Sequence, residues 1–310
     1  HKRTLAKAIT VLESSRHEDK EQSRLLVDEA LMHSGKSLRV GITGVPGVGK
    51  STFIESLGLY LINSGFKVAV LAVDPSSPIT GGSILGDKTR MEMLSREENA
   101  FIRPSPTSGS LGGVAQKTRE TILLCEAAGY DAVLIETVGV GQSEYHVSEM
   151  VDFFLVMILP GGGDELQGLK KGILELADGM VVNKCDGDTV QSANVSKQQL
   201  VSALGLLSQS EYWSTPVLTC SSFNKKDVIH VWAMIGEYFD LVKANGELQK
   251  RRNRQNINWM NALIEEALIG RLNSNSKVKN LLLELETSVK KMEITPYAAA
   301  KEVVQALDEL

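Results

Sequence analysis

The apolar run Leu38-Arg39-Val40-Gly41-Ile42-Thr43 feeds into Gly44-Val45-Pro46-Gly47-Val48-Gly49-Lys50-Ser51, and Thr52-Phe53-Ile54-Glu55-Ser56-Leu57 follows at helical spacing. The central octet fits G-x-x-x-x-G-K-[ST] at each fixed position, and a strand, a loop and a helix in that order are the context this pattern requires. Gly44, Gly47 and Gly49 allow backbone N–H groups to turn inward onto phosphate oxygens. Lys50 can then reach the β- and γ-phosphates, and the Ser51 hydroxyl can ligand Mg²⁺. The segment from Gly44 to Thr52 is therefore expected to hold a nucleoside triphosphate.

The rest of the chain fits a fold built around such a loop. Leu38–Thr43, Lys67–Val73, Ala132–Glu136, Phe153–Leu159, Gly179–Asn183 and Pro216–Thr219 read as strands. Most are continuous apolar runs, as strands of a parallel sheet covered on both faces must be. Helical segments alternate with them, at Lys50–Ser64, Val114–Ala128, Leu166–Ala177, Ser192–Leu207 and Asp227–Lys243. This alternation predicts an α/β P-loop NTPase with a doubly wound, mostly parallel sheet. Leu5–Ser15 and Gln22–Met32 add two helices before the loop, and Asn258–Arg271, Val278–Met292 and Pro296–Leu310 add three after the last strand. The expected organisation is a helical extension over 1–36, the nucleotide domain over 37–245 and, over 246–310, a helical docking or dimerisation arm, the alternative being that these helices only pack on their own domain.

Composition narrows the partners. A formal net charge of −5 argues against a sequence-independent grip on nucleic acid, which needs a basic stripe. The one dense basic patch, Lys250-Arg251-Arg252-Asn253-Arg254, reads as the solvated face of a helix. No apolar run approaches the length of a membrane span. Cys125, Cys185 and Cys220 form no C-x-x-C pair, which fits free or buried thiols in a reducing compartment, the cytoplasm. The chain opens on His1 rather than Met, so an upstream piece such as a removed transit peptide is compatible with it, and the mitochondrial matrix is then the expected location in a eukaryote.

Asn183-Lys184-Cys185-Asp186 ends an apolar strand and resembles the guanine-reading N-K-x-D motif of GTPases. The Asp186 carboxylate can accept from guanine N1–H and the exocyclic amine. Adenine offers neither in that geometry, so a site of this kind can reject it by roughly 10⁴-fold. Lys184 is expected along the base plane, Asn183 as a brace between loops, and Thr219-Cys220-Ser221-Ser222 at the guanine oxygen.

Asp74 and Glu136 end strands beside the phosphates, so one is expected to ligand Mg²⁺ and the other to orient water. Glu136-Thr137-Val138-Gly139 stands where GTPases carry D-x-x-G, and the Gly139 N–H is placed to sense the γ-phosphate. Val140 follows where Ras-type enzymes carry a water-positioning Gln, and Gln142 is two residues further on, so slow intrinsic hydrolysis is expected. The polar stretch Ser76 to Leu111 supplies a switch in which Asp87 approaches Mg²⁺ or the attacking water and Arg90 the developing charge. The glycine-rich segment Pro160 to Gly172 reads equally as a charged mobile element or a connector.

Several strings together carry a family resemblance: Asp74-Pro75-Ser76-Ser77, Gly86-Asp87-Lys88-Thr89-Arg90-Met91, Glu136 through Glu144, Gly163-Asp164-Glu165-Leu166-Gln167-Gly168, and Asn183-Lys184-x-Asp186. They resemble the methylmalonyl-CoA mutase-associated GTPases, bacterial chaperones of that mutase with a mitochondrial counterpart in cobalamin metabolism. Members also carry the label of ArgK-type arginine/ornithine transport kinases, a role no residue of this sequence supports. The resemblance implies a homodimeric, slow, partner-stimulated GTPase that uses GTP/GDP and Mg²⁺. It would gate delivery of adenosylcobalamin to the mutase and protect or rescue that enzyme. The partner implied is an adenosylcobalamin-dependent acyl-CoA mutase, with an adenosyltransferase as a second candidate. By motif, Lys50 and Ser51 hold phosphate and metal, and Asp74 and Glu136 lie in the metal shell. Asp87 and Arg90 sit on one switch, Gln167 and Lys170 fall in another that responds to the mutase, and Asp186 reads guanine. Lys171 is an adjacent alternative to Lys170, and Cys185 fills a variable position without an expected role.

Two rival enzyme readings use the same phosphate loop. A metal-inserting metallochaperone GTPase would need grouped soft or imidazole ligands, whereas the five His and three Cys are scattered. A P-loop kinase would need an acceptor pocket and a catalytic base. A third reading is a scaffold in which the nucleotide only sets a dimer shape.

Overall fold

The computed structural model describes residues 1–14, 16–73, 91–104, 111–137, 143–161, 171–206 and 210–308. Among them, seven strands form one all-parallel sheet: β1 (Leu38–Gly44), β2 (Val68–Val73), β3 (Ala100–Pro104), β4 (Ala132–Thr137), β5 (Phe153–Ile158), β6 (Gly179–Val182) and β7 (Val217–Thr219). Their order is β3-β2-β4-β1-β5-β6-β7, which puts β1 and the loop after it in the middle of the sheet. Because all strands run the same way, their C-terminal ends share one edge, and ligands of such folds bind there.

One strand was not expected. Ala100–Pro104 lies inside the stretch read as one long polar loop, and among the described residues it pairs only with β2, in the register Val68↔Ala100 to Ala72↔Pro104. An edge strand needs partners on one side alone, so it tolerates Arg103 and Pro104, which a central strand would not.

Helices cover both faces. They are α1 (Lys2–Glu13), α2 (His17–His33), α3 (Lys50–Asn63), α4 (Glu92–Arg96), α5 (Leu111–Ala127), α6 (Ser143–Ser148), α7 (Lys171–Leu176), α8 (Val190–Leu204), α9 (Lys225–Ala244), α10 (Glu247–Ser274), α11 (Ser276–Lys290) and α12 (Pro296–Asp308). On one face, Phe53, Ile54, Leu57 and Leu61 of α3 meet Val231, Ile235, Tyr238 and Phe239 of α9 over Ile42, Leu134, Leu155 and Val181 of the sheet. Burying side chains of this size contributes about 1.5–3 kcal/mol each, which is what holds the phosphate-loop helix against β1. On the other side, α1 and α2 pack on α5.

The chain divides into two compact units, His1–Arg252 and Asn253–Leu310. Within the second, α11 and α12 close on each other through Val278, Leu285, Ala299 and Val303. Asn275 caps α11 by accepting from the backbone N–H of Lys277 at 2.9 Å and of Val278 at 3.2 Å.

The sheet edge opposite the phosphate loop is stitched by acids that precede the strands. Asp131, Asp152 and Asp178 accept from the backbone N–H groups of Lys67, Arg39 and Phe154 at 2.7, 3.0 and 2.8 Å. The basic run at 250–254 takes part in this edge, so its reading as a solvated helix face is corrected for two of its members. Arg251 pairs with Asp178 at 2.9 Å, and Arg252 grips both oxygens of the fully buried Asp152 at 2.8 and 2.6 Å. Burial opposes the Arg252 charge, and the Asp152 carboxylate outweighs it, so the guanidinium is held protonated. The helix carrying these arginines begins at Glu247 rather than near Asn258, because α10 follows Gly246 directly. Asp152→Ala strands a buried cation and is expected to cost about 3–5 kcal/mol, read from the urea midpoint. A loss under about 1 kcal/mol, the value of an exposed pair, would show that water reaches the clamp.

Candidate functional site: a phosphate loop and an N-K-x-D edge

Two glycines shape the loop leaving β1. Gly44 has φ 150° and lies so close to the Met157 carbonyl that a Cβ would collide with it. Gly49 has φ 98° and opens α3, and a Cβ there would sit 2.7 Å from Asn183 Nδ2. Neither conformation suits a side-chain-bearing residue. Between them, Pro46 and Gly47 are exposed at the tip, and the turn is closed by the Val48 N–H donating to the Val45 carbonyl at 3.2 Å.

Lys50 is buried and donates to the Gly44 carbonyl at 2.7 Å and the Val45 carbonyl at 3.3 Å. Its ammonium thus lies folded back onto the loop it belongs to. Beside it, the Ser51 hydroxyl donates to Glu136 Oε1 at 2.8 Å, and Glu136 is buried at the end of β4. The register Ile42↔Glu136 and a 2.7 Å hydrogen bond from the Thr137 hydroxyl to that of Thr43 fix the ends of β4 and β1 together. A hydroxyl and a carboxylate held side by side are hard oxygen donors, the set that suits Mg²⁺, which takes one or two carboxylates and keeps several waters. The residues present therefore fit the metal. Thr52 is half-buried in the first turn of α3.

The end of the edge that carries Asn183 to Asp186, where a base is expected, is built from the loops after β6 and β7. Asn183 is buried and bridges them to the phosphate loop: its Nδ2 donates to the Val48 carbonyl at 2.8 Å, and its Oδ1 accepts from the Ser222 hydroxyl at 2.8 Å. Lys184 adopts φ 56°, and this left-handed step turns the chain so that the Cys185 N–H reaches the Cys220 carbonyl at 3.0 Å. Asp186 is exposed, and one of its oxygens accepts from the Ser221 hydroxyl at 2.6 Å. The Ser221 hydroxyl thereby fixes the orientation of the carboxylate, which also takes part in a capping box with Thr189. Ser221 is itself held by its N–H donating to Asp227 at 2.9 Å, and the Ser222 carbonyl accepts from the Ser56 hydroxyl of α3 at 2.7 Å.

Thus Gly44 to Thr52, Glu136, Asn183, Lys184, Asp186, Ser221 and Ser222 all lie along the C-terminal edge of the sheet. Asp74, Asp87, Arg90, Gly139, Gln167 and Lys170 lie outside the described residues. Sequence reasoning missed the scaffold of Ser56, Asp227, Thr43 and Thr137. Ser56 lies in the second turn of α3 and Asp227 in the first turn of α9, the helices that flank the motifs, and that placement was the available signal.

The comparisons decide the lineage. Residues 5–277 match the family described as Methylmalonyl Co-A mutase-associated GTPase MeaB. The chain belongs to the MeaB family. Among relatives, Rv1496 of Mycobacterium tuberculosis is 50% identical over 97% of this chain and 90% of its own length. GTPase ArgK of Escherichia coli is 46% identical over 97% and 91%. The mouse protein named methylmalonic aciduria type A homolog, mitochondrial, is 44% identical over 97% and 75%. A solved structure described as an LAO/AO transport system kinase superposes with a TM-score of 0.80 at 37% identity, covering 99% of this chain and 94% of that one. The P-loop NTPase architecture of this MeaB-family chain follows from the fold and from that match.

Two further observations bear on the site of this family member. Among the described residues no three His, Cys, Asp or Glu side chains gather as a metal-holding group. Burial pushes the Cys220 thiol up to about 12, with Asp227 and Cys185 adding to the shift, so that thiol stays protonated and is a poor soft-metal ligand. No described helix is long and apolar enough to cross a membrane.

Proposed function

We propose that this chain is a GTP-hydrolysing chaperone that gates adenosylcobalamin loading of an acyl-CoA mutase, methylmalonyl-CoA mutase first among them, and protects or reactivates that mutase. The observation that carries the guanine reading is the Asp186 carboxylate held by Ser221 at 2.6 Å at the edge that also bears the phosphate loop. Family membership carries the link to the mutase.

In this reading Gly44 to Thr52 wrap the phosphates with backbone N–H groups, and Lys50 swings from the Gly44 carbonyl onto the β- and γ-phosphates. Ser51 and Glu136, with Asp74, would hold Mg²⁺, which when bound would supply charge neutralisation at the phosphate oxygens. Asp87 and Arg90 act on the first switch, Gly139 on the γ-phosphate, and Lys170 on the switch that answers the partner. Asn183 keeps the phosphate loop and the base loop in one frame, Lys184 lies along the base, and Ser221 and Ser222 complete the base pocket. Homodimerisation through the C-terminal helices is supported by Ile257, Met260, Ile264 and Leu268, which are exposed along α10 at helical spacing. An adenosyltransferase is the second partner. The chain works in the cytoplasm of a bacterium or the mitochondrial matrix of a eukaryote.

The test is cofactor transfer. Adenosylcobalamin uptake by the apo-mutase should depend on whether the chaperone holds GTP, a non-hydrolysable GTP analogue or GDP, and ATP should not replace GTP. Identical uptake in all four conditions would remove the gating role.

A further inference from the structure

Phe223 is a large aromatic residue with 85% of its surface exposed, on the loop that carries Ser221 and Ser222. Exposure of this kind commonly reflects a fraying loop, but this loop is pinned on both sides. Ser221 is buried and tied to Asp186 and Asp227, and Ser222 is buried and tied to Asn183 and to Ser56. On the other side, the Asn224 N–H donates to the Ser221 carbonyl at 2.9 Å, and Asn224 Oδ1 caps α9 by accepting from the Lys226 N–H at 3.0 Å. The backbone therefore holds the ring out at a fixed place, two residues from the hydroxyl that aims the Asp186 carboxylate. An apolar ring held in water beside a polar recognition edge gains only when something flat and apolar covers it.

We propose that Phe223 is a base-positioning residue that packs on the purine ring system, supplying the apolar contact that the hydrogen-bonding edge of Asp186 lacks. The inference rests on the guanine-site reading above and adds to it a residue outside the N-K-x-D motif. The two contributions differ in kind. Asp186 distinguishes bases by the exocyclic amine and N1–H on their edge, whereas a ring packed on a purine is indifferent to those groups, because every base has a π-face.

Equilibrium binding of GTP and ITP to the full chain separates the possibilities, since inosine lacks the exocyclic amine. Phe223→Ala should weaken both nucleotides by about tenfold and by the same factor, through faster release. Phe223→Tyr should restore both. Phe223→Trp should also restore them, and its fluorescence should change when GDP is added. The position is exposed, so these variants are expected to fold with stability within about 0.5 kcal/mol of the parent. Unchanged affinities for both nucleotides would overturn the inference, and so would a loss confined to GTP. Unchanged nucleotide binding with weakened mutase stimulation would assign Phe223 to the partner instead, which also overturns it. A parent chain that fails to bind guanine nucleotides would overturn the guanine reading itself, an outcome visible before any variant is made.

Discussion

Saturating cognate mutase is expected to accelerate single-turnover GTP hydrolysis by this chain about 10³–10⁵-fold, the range seen when a partner completes a GTPase site. The expectation starts from Val140, an apolar residue at the position where a glutamine would hold the attacking water. Phosphoryl transfer leaves little covalent work for the protein, so a site that lacks the water-positioning group loses most of its rate. The remaining candidates for that work, Asp87, Arg90 and Lys170, fall on segments that follow β2 and β5. Both strands end at the same sheet edge as β1, the edge that bears Ser51 and Glu136. Two results would sink the idea: a rate unmoved by the mutase, or turnover of the chain alone already within the usual enzyme range of roughly 1–10³ s⁻¹.

Asp186→Ala should abolish the preference for GTP over ATP, a change of up to about 10⁴-fold. The size is consistent with the chemistry. Two hydrogen bonds to a charged acceptor contribute about 1.5–3 kcal/mol each, and 10⁴-fold corresponds to about 5.5 kcal/mol. The structure explains why so much can rest on one side chain. Ser221 fixes one oxygen, and the left-handed Lys184 and the Cys185–Cys220 backbone bond set the turn that presents the carboxylate. Little orientation remains to be lost on binding. Affinity for inorganic triphosphate should survive, because Lys50 and the glycine loop are anchored separately to β1 and α3. Competition titrations of GTP against ATP measure the ratio, and a preference that persists in the variant would show that another group reads the base.

The residues of the candidate site were legible because their chemistry is written in contiguous segments. The octet at 44–51 specifies its own turn through glycine, and Asn183 to Asp186 follows a run apolar enough to be recognised as a strand end. The expected bracing role of Asn183 needed a structure to acquire partners, the Val48 carbonyl and the Ser222 hydroxyl. The strand Ala100–Pro104 escaped notice because an edge strand carries half the constraint of a central one, and five residues ending in Arg-Pro look like loop. Arg251 and Arg252 were misjudged for a different reason. Their spacing in a basic run is that of a solvated face, and only acids 73 and 100 residues away in sequence turn them inward.

From its sequence alone, then, this chain declares a phosphate-loop motif, an N-K-x-D tetrapeptide, a parallel α/β sheet and its family. These follow from backbone freedom, strand hydrophobicity and side-chain chemistry, all local properties. The tertiary structure decided which acids neutralise the arginines at the root of α10, that Ser221 aims Asp186, and that Phe223 stands exposed on the loop that carries Ser221. The first two depend on side-chain atoms from segments distant in sequence being brought within 3 Å of one another, and no periodicity or motif encodes such a distance.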